Sequence, residues 1–152
     1  MILRIKMKKY TFSSIWLFCI VLFLSACSPS RPPAESAAIK FTEKIYSGDV
    51  EGVMALTNLD LSGLPANKGI FALKIRNLIL KEKQKADMYG GVNKITVVST
   101  SYKSREGKII DQTKTTAGSK AYIKLNILFH NGMVHQKDLV LIDISGEWKI
   151  AI

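Results

Sequence analysis

A fixed order of basic, apolar and small residues opens the chain and restricts what can follow it. Residues 4–9 carry four cations, and residues 12–24 are apolar apart from two serines. Ser25 and Ala26 then precede Cys27, and a proline-containing stretch begins directly after the cysteine. This order is typical of a secretory signal peptide, because the apolar core is shorter than the roughly 20 residues that a membrane-spanning helix needs. An uncleaved N-terminal anchor helix is the alternative that the pattern leaves open.

The residues around the cysteine carry a specific resemblance. Leu24-Ser25-Ala26-Cys27 resembles the lipobox of bacterial lipoproteins, and the basic and apolar zones upstream match that family too. In these lipoproteins the cysteine sulfur is diacylated, with palmitate among the chains, and the peptide before it is removed. The resemblance implies a signal peptide over residues 1–26, lipidation at Cys27 and a lipid bilayer as its partner. Two or three acyl chains, each contributing about 0.8 kcal/mol per buried methylene, would hold such a protein at the membrane.

The same resemblance implies an exported protein of the cell envelope, anchored to the membrane. In a Gram-negative host, Ser28 rather than an aspartate after the cysteine favours the outer membrane, facing the periplasm. Cys19 lies in the apolar core and would leave with the signal peptide, so Cys27 would be the single cysteine of the mature protein. We therefore expect no disulfide, no cysteine-based zinc site and no thiol nucleophile there.

Composition indicates one globular domain behind this leader. The chain has 152 residues, of which 47% are hydrophobic, and a formal net charge of +10. Four of the positive charges lie in residues 4–9, which leaves +6 for the rest of the chain. Residues 27–34 contain three prolines and predict a stiff tether that carries the lipidated cysteine. Residues 35–152 are predicted to form the domain.

Helical periodicity characterises the first half of the domain. Apolar residues recur at helical spacing over residues 38–45, and Gly48 then provides a C-terminal stop. Asp49 predicts the N-cap of a second, short helix. Residues 58–67 contain glycine and proline and predict a loop, and the longest helix is predicted over residues 68–88. Its core stripe is predicted to comprise Phe71, Ile75, Leu78, Glu82 and Ala86, with Ile79 beside it.

Alternating apolar residues predict antiparallel strands over the second half. A tight turn at residues 145–146 places Leu141 opposite Ile150 and Leu139 opposite Ile152. The predicted strands cover residues 95–102, 121–129, 133–144 and 147–152, and a long loop or a frayed hairpin tip covers residues 104–119.

The faces of the strands decide between two loops for the central hairpin. A three-residue loop over residues 130–132, with a left-handed glycine and a bulge, places Leu139 opposite Ile123 on the core face. A two-residue turn would place Leu139 opposite an outward lysine. The three-residue loop pairs His135 with Ile127 and directs the histidine toward the core side near the hairpin tip.

Helices followed by strands predict an α+β fold, in which N-terminal helices pack on a curved antiparallel sheet. Residues 36–56, SAAIKFTEKIYSGDVEGVMAL, resemble the opening of nuclear-transport-factor-like domains, also called cystatin-like. Residues 139–152, LVLIDISGEWKIAI, resemble their last two strands. Within that group the chain is most similar to a domain of unknown function found in small bacterial lipoproteins. The resemblance implies a cone with an open pocket and implies no reaction, because such folds host enzymes and non-enzymes alike.

Four residues are candidates for lining this pocket: His135, Ile127, Leu139 and Trp148. His135 could act as a base near neutral pH, but a half-exposed histidine at a hairpin tip is the simpler interpretation. Trp148 alternates with apolar residues, which favours a core position over ligand stacking.

Catalytic, metal and cofactor sites are not predicted. Asp138 faces outward in the predicted register and Asp143 lies beside the terminal turn, so neither is expected to be a buried acid. The two histidines lack the spacing of metal ligands. The lysines of the long helix lack interleaved aromatic residues, so we expect a solvated basic face rather than a nucleic-acid site.

These patterns together predict a membrane-anchored lipoprotein whose domain is a non-enzymatic binding or scaffold module of the envelope. Its partner would be an envelope protein or a small hydrophobic ligand. The alternative is a small enzyme or small-molecule carrier that uses the conical pocket.

Overall fold

Three helices precede a five-stranded antiparallel sheet in the part of the chain that the computed structural model describes, residues 31–58 and 68–151. The predicted α+β class is therefore confirmed. The helices are α1 (Pro33–Ser47), α2 (Val50–Ala55) and α3 (Lys68–Met88), and the strands are β1 (Val92–Lys103), β2 (Ile109–Ile110), β3 (Lys120–Phe129), β4 (Val134–Ile144) and β5 (Glu147–Ile150), with a 3-10 helix at Gln112–Lys114.

Helix α1 starts earlier than the sequence predicted. Pro33 occupies its first turn, where a missing N–H and a fixed φ suit a helix start. The predicted tether included Pro33 and Ala34, and this boundary was wrong, since Ala34 is helical and only 1% exposed. Gly48 ends the helix with a left-handed φ of 80°, as predicted.

Asp49 caps α2 as expected. Its Oδ1 accepts a 2.8 Å hydrogen bond from the amide of Gly52, and its Oδ2 lies 2.5 Å from Nζ of Lys44 in α1. One carboxylate therefore satisfies a free helix N–H group and also joins the end of α1 to the start of α2. The loop predicted over residues 58–67 lies almost entirely outside the described residues.

Helix α3 has the predicted bounds but a different buried stripe. Ile79 is 3% and Ala86 is 1% exposed, whereas Leu78, predicted to face the core, is 61% exposed. The helix packs on α1 and α2, and the face that carries Leu78 borders an open groove instead of a neighbouring element. The side chain of Phe71 lies outside the described part.

The sheet has the strand order β2-β1-β3-β4-β5, and its register confirms the three-residue hairpin loop. Gly132 has a φ of 85°, and Leu139 pairs with Ile123 while His135 pairs with Ile127. Leu141 pairs with Ile150, also as predicted; the predicted partner of Leu139, at position 152, lies outside the described residues.

The segment between β1 and β3 is more ordered than a loop. Its first part is a hairpin, in which β2 pairs with the end of β1, and its second part contains the 3-10 helix capped by Asp111. The interpretation as a hairpin is therefore nearer to the structure than the long loop.

Asp143 corrects another expectation. It is 7% exposed, and its Oδ1 accepts a 2.6 Å hydrogen bond from the amide of Gly146, so it is a buried acid that closes the β4–β5 turn. Asp138 faces outward with a side chain 76% exposed, as predicted.

The core lies between α1 and one face of the sheet. Alternate residues of β3 and β4 point into it, including Ile123, Leu125 and Leu141, which are at most 2% exposed. Among the described residues, all buried members of this core come from residues 34–150. The domain therefore contains the apolar contacts needed to fold by itself. No helix within the described ranges is both long and apolar enough to cross a membrane.

Candidate functional site

An apolar groove of about 720 Å³ opens between α3 and β4, and we call it the α3–β4 groove. Phe41 and Ile45 of α1 and Leu139 of β4 form its floor, and Ile75 and Leu78 of α3 form one wall. The floor residues are almost fully buried, whereas Leu78 projects beside the opening. The groove exists because α3 packs on α1 and α2, whereas the side of α3 that faces β4 is not packed against that strand.

Charged side chains gather along one side of this groove. Lys137 of β4 lies there with Glu82 and Lys85 of α3, and His135 is on the same strand face as Lys137. Nζ of Lys137 is 5.9 Å from the centroid of the Tyr46 ring, a cation–π distance. We call Lys85, His135 and Lys137 the cationic corner.

Burial governs the electrostatics of the cationic corner. It lowers the pKa of the Lys137 ammonium below its ordinary value, while nearby Glu82 raises that pKa and Lys85 lowers it further. Burial likewise raises the pKa of the Tyr46 phenol, and the negative charge of Glu82 adds to this effect. Within the described part of the chain no carboxylate lies within 4 Å of Nζ of Lys137. The groove therefore holds a partly desolvated cation without a close ion pair.

His135 is held by aromatic rings. Its ring lies edge to face on Phe129 at 5.0 Å and on Tyr89 at 5.4 Å between centroids. It is half-buried and faces the core side of the sheet, as predicted. Since the described residues place no carboxylate within 4 Å of it, its surroundings are those of a packing and lining residue.

The structure divides the four predicted pocket residues into two pairs. His135 and Leu139 line the groove. Ile127 does not line the groove, because its side chain is fully buried in the core. Trp148 does not line it either, and its ring packs edge to face on Tyr102 with 5.9 Å between the centroids. The expectation that Trp148 belongs to the core is confirmed by its 8% exposure.

Sequence reasoning missed the charged members of the groove. Lys137 has the same parity on β4 as His135 and Leu139, so the predicted register already placed it on the core face. The contributions of Glu82 and Lys85 depend on how α3 lies over the sheet, and local periodicity carries no such information.

The lining of the groove combines apolar residues with a few charged ones. Its lining, among the residues that the structure describes, includes no serine, threonine or cysteine. In the same ranges no group of three or more histidine, cysteine, aspartate and glutamate side chains is placed to hold a metal ion. An apolar floor with one charged side suits a ligand that is itself apolar at one end and charged at the other.

A second charged surface lies at the end of the sheet where α1 begins, and we call it the basic end. Lys103 of β1 pairs with Lys120 of β3, and the first turn of α1 reaches this region through a hydrogen bond between Thr100 and Glu35. The segment that follows β1 adds three further cations, Arg105, Lys108 and Lys114, and two acids, Glu106 and Asp111.

The basic face predicted on the long helix is less uniform than expected. Lys83 pairs with Asp87 at 2.5 Å, and Lys85 lines the groove. Lys83 and Lys85 therefore do not contribute to a uniform basic face, whereas Lys74, Arg76 and Lys81 are exposed on the helix.

The described domain is similar in fold to a Campylobacter jejuni protein whose crystal structure is called that of a candidate NTF2-like transpeptidase, where NTF2-like means nuclear-transport-factor-like. The similarity has a TM-score of 0.61 and 26% sequence identity, and it covers 81% of this chain and 99% of that one. No protein-family model and no curated protein sequence matches the chain. The resemblance to nuclear-transport-factor-like domains is confirmed at the level of the fold.

Proposed function

We propose that this chain is an exported, lipid-anchored protein of the cell envelope, whose nuclear-transport-factor-like domain is a non-enzymatic binding module. The observation that carries the anchoring is the order of a basic segment, a short apolar segment and Leu24-Ser25-Ala26-Cys27. These residues lie outside the part of the chain that the structure describes. In a Gram-negative host, Ser28 favours the outer membrane facing the periplasm.

The basic end supports this anchoring. The five residue steps from Cys27 to Pro32 span at most about 18 Å, because an extended chain covers roughly 3.5 Å per residue. A lipidated Cys27 would therefore hold the start of α1, and the basic end beside it, close to the bilayer. Each cation near an anionic membrane surface contributes about 1 kcal/mol, so the basic end would favour this orientation.

The α3–β4 groove supports the binding role. Its volume of about 720 Å³ falls within the roughly 300–1,000 Å³ of small-molecule sites, and its lining is mostly apolar with a few charged groups. A mostly apolar groove with a few charged groups suits the retention of a ligand that has one apolar and one charged part.

The anchoring is tested with two cysteine variants of the full chain expressed in a bacterial host that receives labelled palmitate. Cys27→Ser should lose the label and accumulate as an unprocessed precursor in the membrane fraction. Cys19→Ser is the matched control, because its cysteine lies in the peptide that is removed, and it should be labelled and processed like the wild type. Normal labelling and processing of Cys27→Ser would overturn the proposal.

The alternative is a small enzyme that works in the same groove. The similar structure is called a candidate transpeptidase, and His135 lies in the groove, where an imidazole could act as a base. The measurement is transfer of a peptide acyl group by the wild-type chain and by His135→Ala. Turnover that disappears in the variant would favour the enzyme, whereas no turnover above background in either chain favours the binding module.

A further inference from the structure

We infer that the α3–β4 groove binds a single-chain amphipathic carboxylate, that is, a long-chain fatty acid. The carboxylate would lie at the cationic corner, against Lys137 and Lys85, and the hydrocarbon tail would lie along the floor formed by Phe41, Ile45 and Leu139. The inference rests on the proposed binding role of the groove and names the class of its ligand.

The apolar part of the ligand follows from the floor of the groove. The three floor residues are only 6–7% exposed. The side chains of the floor, and those of Ile75 and Leu78 in the wall, are hydrocarbon and carry no hydrogen-bonding group. A ligand that covers this surface gains free energy in proportion to the apolar area that it removes from water. Leu78 is 61% exposed beside the opening, so a bound chain would also cover side chains that are otherwise in contact with water.

The size of the groove favours a flexible chain over a protein helix. Two turns of an α-helix, about 10 Å wide and about 11 Å long, occupy roughly 850 Å³. This exceeds the groove volume of about 720 Å³, so even a short helix would project well out of it. A single polymethylene chain is far thinner than a helix and can follow a groove that bends between α3 and β4.

The charge of the ligand follows from the cationic corner. The lysines and carboxylates of the lining are Lys137, Lys85 and Glu82, and together these three groups have a net charge of +1. Burial disfavours the Lys137 ammonium, and no carboxylate among the described residues lies within 4 Å of it. An incoming anion would supply the missing partner, and charge-assisted hydrogen bonds to carboxylates are among the stronger ones. A neutral or cationic amphiphile would leave Lys137 without that partner.

The first experiment measures how affinity depends on the ligand. The chain from Ser28 to Ile152, which lacks the cysteine that would carry the lipid, is titrated calorimetrically with saturated carboxylates from octanoate to palmitate, and with their methyl esters, below the concentrations at which they aggregate. Each added methylene should tighten binding by about fourfold among the shorter carboxylates. Each ester should bind at least about tenfold more weakly than its acid, because it cannot pair with Lys137.

The second experiment places the ligand in the groove. Lys137→Met keeps the aliphatic stem and removes the charge, so it should weaken carboxylate binding by about tenfold and leave ester binding unchanged. Lys124→Met is the matched control, because Lys124 lies on the opposite face of the sheet opposite Asp138, and it should bind both ligands like the wild type. Thermal unfolding of each variant verifies that it is folded.

Each failure has a distinct meaning. Equal affinity for acids and esters, or no effect of Lys137→Met, would overturn the carboxylate inference while leaving the groove as a binding site. No saturable binding of any member of the series would overturn the inference as well. Neither result would alter the outcome of the palmitate-labelling test, which depends on Cys27 alone.

Discussion

The hydroxyl of Thr100 donates a 2.7 Å hydrogen bond to Oε1 of Glu35, across 65 residues of sequence. Glu35 lies in the first turn of α1, where its negative charge also suits the helix dipole. Thr100 lies on β1, on the side of the sheet that α1 covers. The bond joins the start of the helix to the sheet at the basic end, where a membrane tether would enter the domain.

Removing this hydrogen bond should destabilise the domain. Thr100→Val keeps the shape and strand preference of the residue but leaves Glu35 without its donor, so we expect a loss of about 1 kcal/mol in the free energy of unfolding. Thr96→Val on the same strand is the control, because Thr96 is exposed and its hydroxyl makes only a 3.5 Å contact. Urea unfolding measures both variants, and equal stabilities would contradict the assigned role of the bond.

Gly52 donates the capping hydrogen bond to Asp49, and the side chains of Asp49 and Lys44 crowd its Cα. A Cβ at this position would lie 2.4 Å from Oδ2 of Asp49 and 2.5 Å from Nζ of Lys44. Glycine to alanine inside a helix normally stabilises by roughly 1 kcal/mol. Here the added methyl group must displace the ion pair, so we expect Gly52→Ala to lower the melting temperature.

Gly69→Ala provides the matched comparison for that effect. Gly69 is also helical, and none of the described residues has an atom within 4 Å of a Cβ placed there. Only the helix preference remains, so Gly69→Ala should raise the free energy of unfolding by up to about 1 kcal/mol. A pair of variants that shift stability in the same direction would count against the crowding at Gly52.

Tyr102 carries a hydroxyl that the core does not use. The oxygen is buried and has no hydrogen-bond partner among the described residues, and burial raises the pKa of the phenol. Tyr102→Phe keeps the edge-to-face contact with Trp148 and removes the buried polar atom, so stability should be unchanged or higher by about 1 kcal/mol. Tyr122→Phe, on the outer face beneath Lys103, should be neutral. Clear destabilisation by Tyr102→Phe in chemical denaturation would indicate a partner for the hydroxyl.

Lys137 should give the domain a distinctive dependence of stability on pH. Burial holds the pKa of Lys137 in the folded state below its ordinary 10.5. At a pH between the folded-state and unfolded-state pKa values of Lys137, the unfolded chain binds more protons than the folded chain, so stability rises with pH. Below the folded-state pKa, Lys137 is charged in both states, and the free-energy cost of burying the ammonium is present in full. Lys137→Met should therefore be more stable than the wild type at neutral pH, with an advantage that shrinks as the pH rises toward 10.5.

Urea unfolding at neutral pH and again in mildly alkaline buffer measures that difference. Tyr46 also has a raised pKa, but it is present in both proteins and contributes little to the comparison. The exposed-face variant Lys124→Met should differ from the wild type by the same amount at both pH values. An advantage of Lys137→Met that stays constant or grows with pH would be evidence against a desolvated Lys137 ammonium.

The register of the central hairpin was predictable because a single-residue shift would have exposed every core side chain of β4. Once Leu139 had to face the core, the three-residue loop and the pairing of His135 with Ile127 followed. The same logic failed for Asp143, since alternation reports which face a residue occupies and not which amide its carboxylate reaches. It also failed for Leu78, because the buried side of α3 depends on which neighbours the helix meets.

The sequence by itself determined the three helices, four of the five strands and the register of the last three strands, because caps, left-handed glycines and period-two alternation act between near neighbours. It also predicts lipidation at Cys27. Only the tertiary structure decided where the groove lies and which charges face it. Lys137 could be assigned to the core face from its parity, but its contact with Tyr46 and its proximity to Glu82 and Lys85 arise from packing between distant elements. Such contacts depend on how a helix lies across a sheet, and that arrangement is set by the sum of many side-chain contacts rather than by any local pattern.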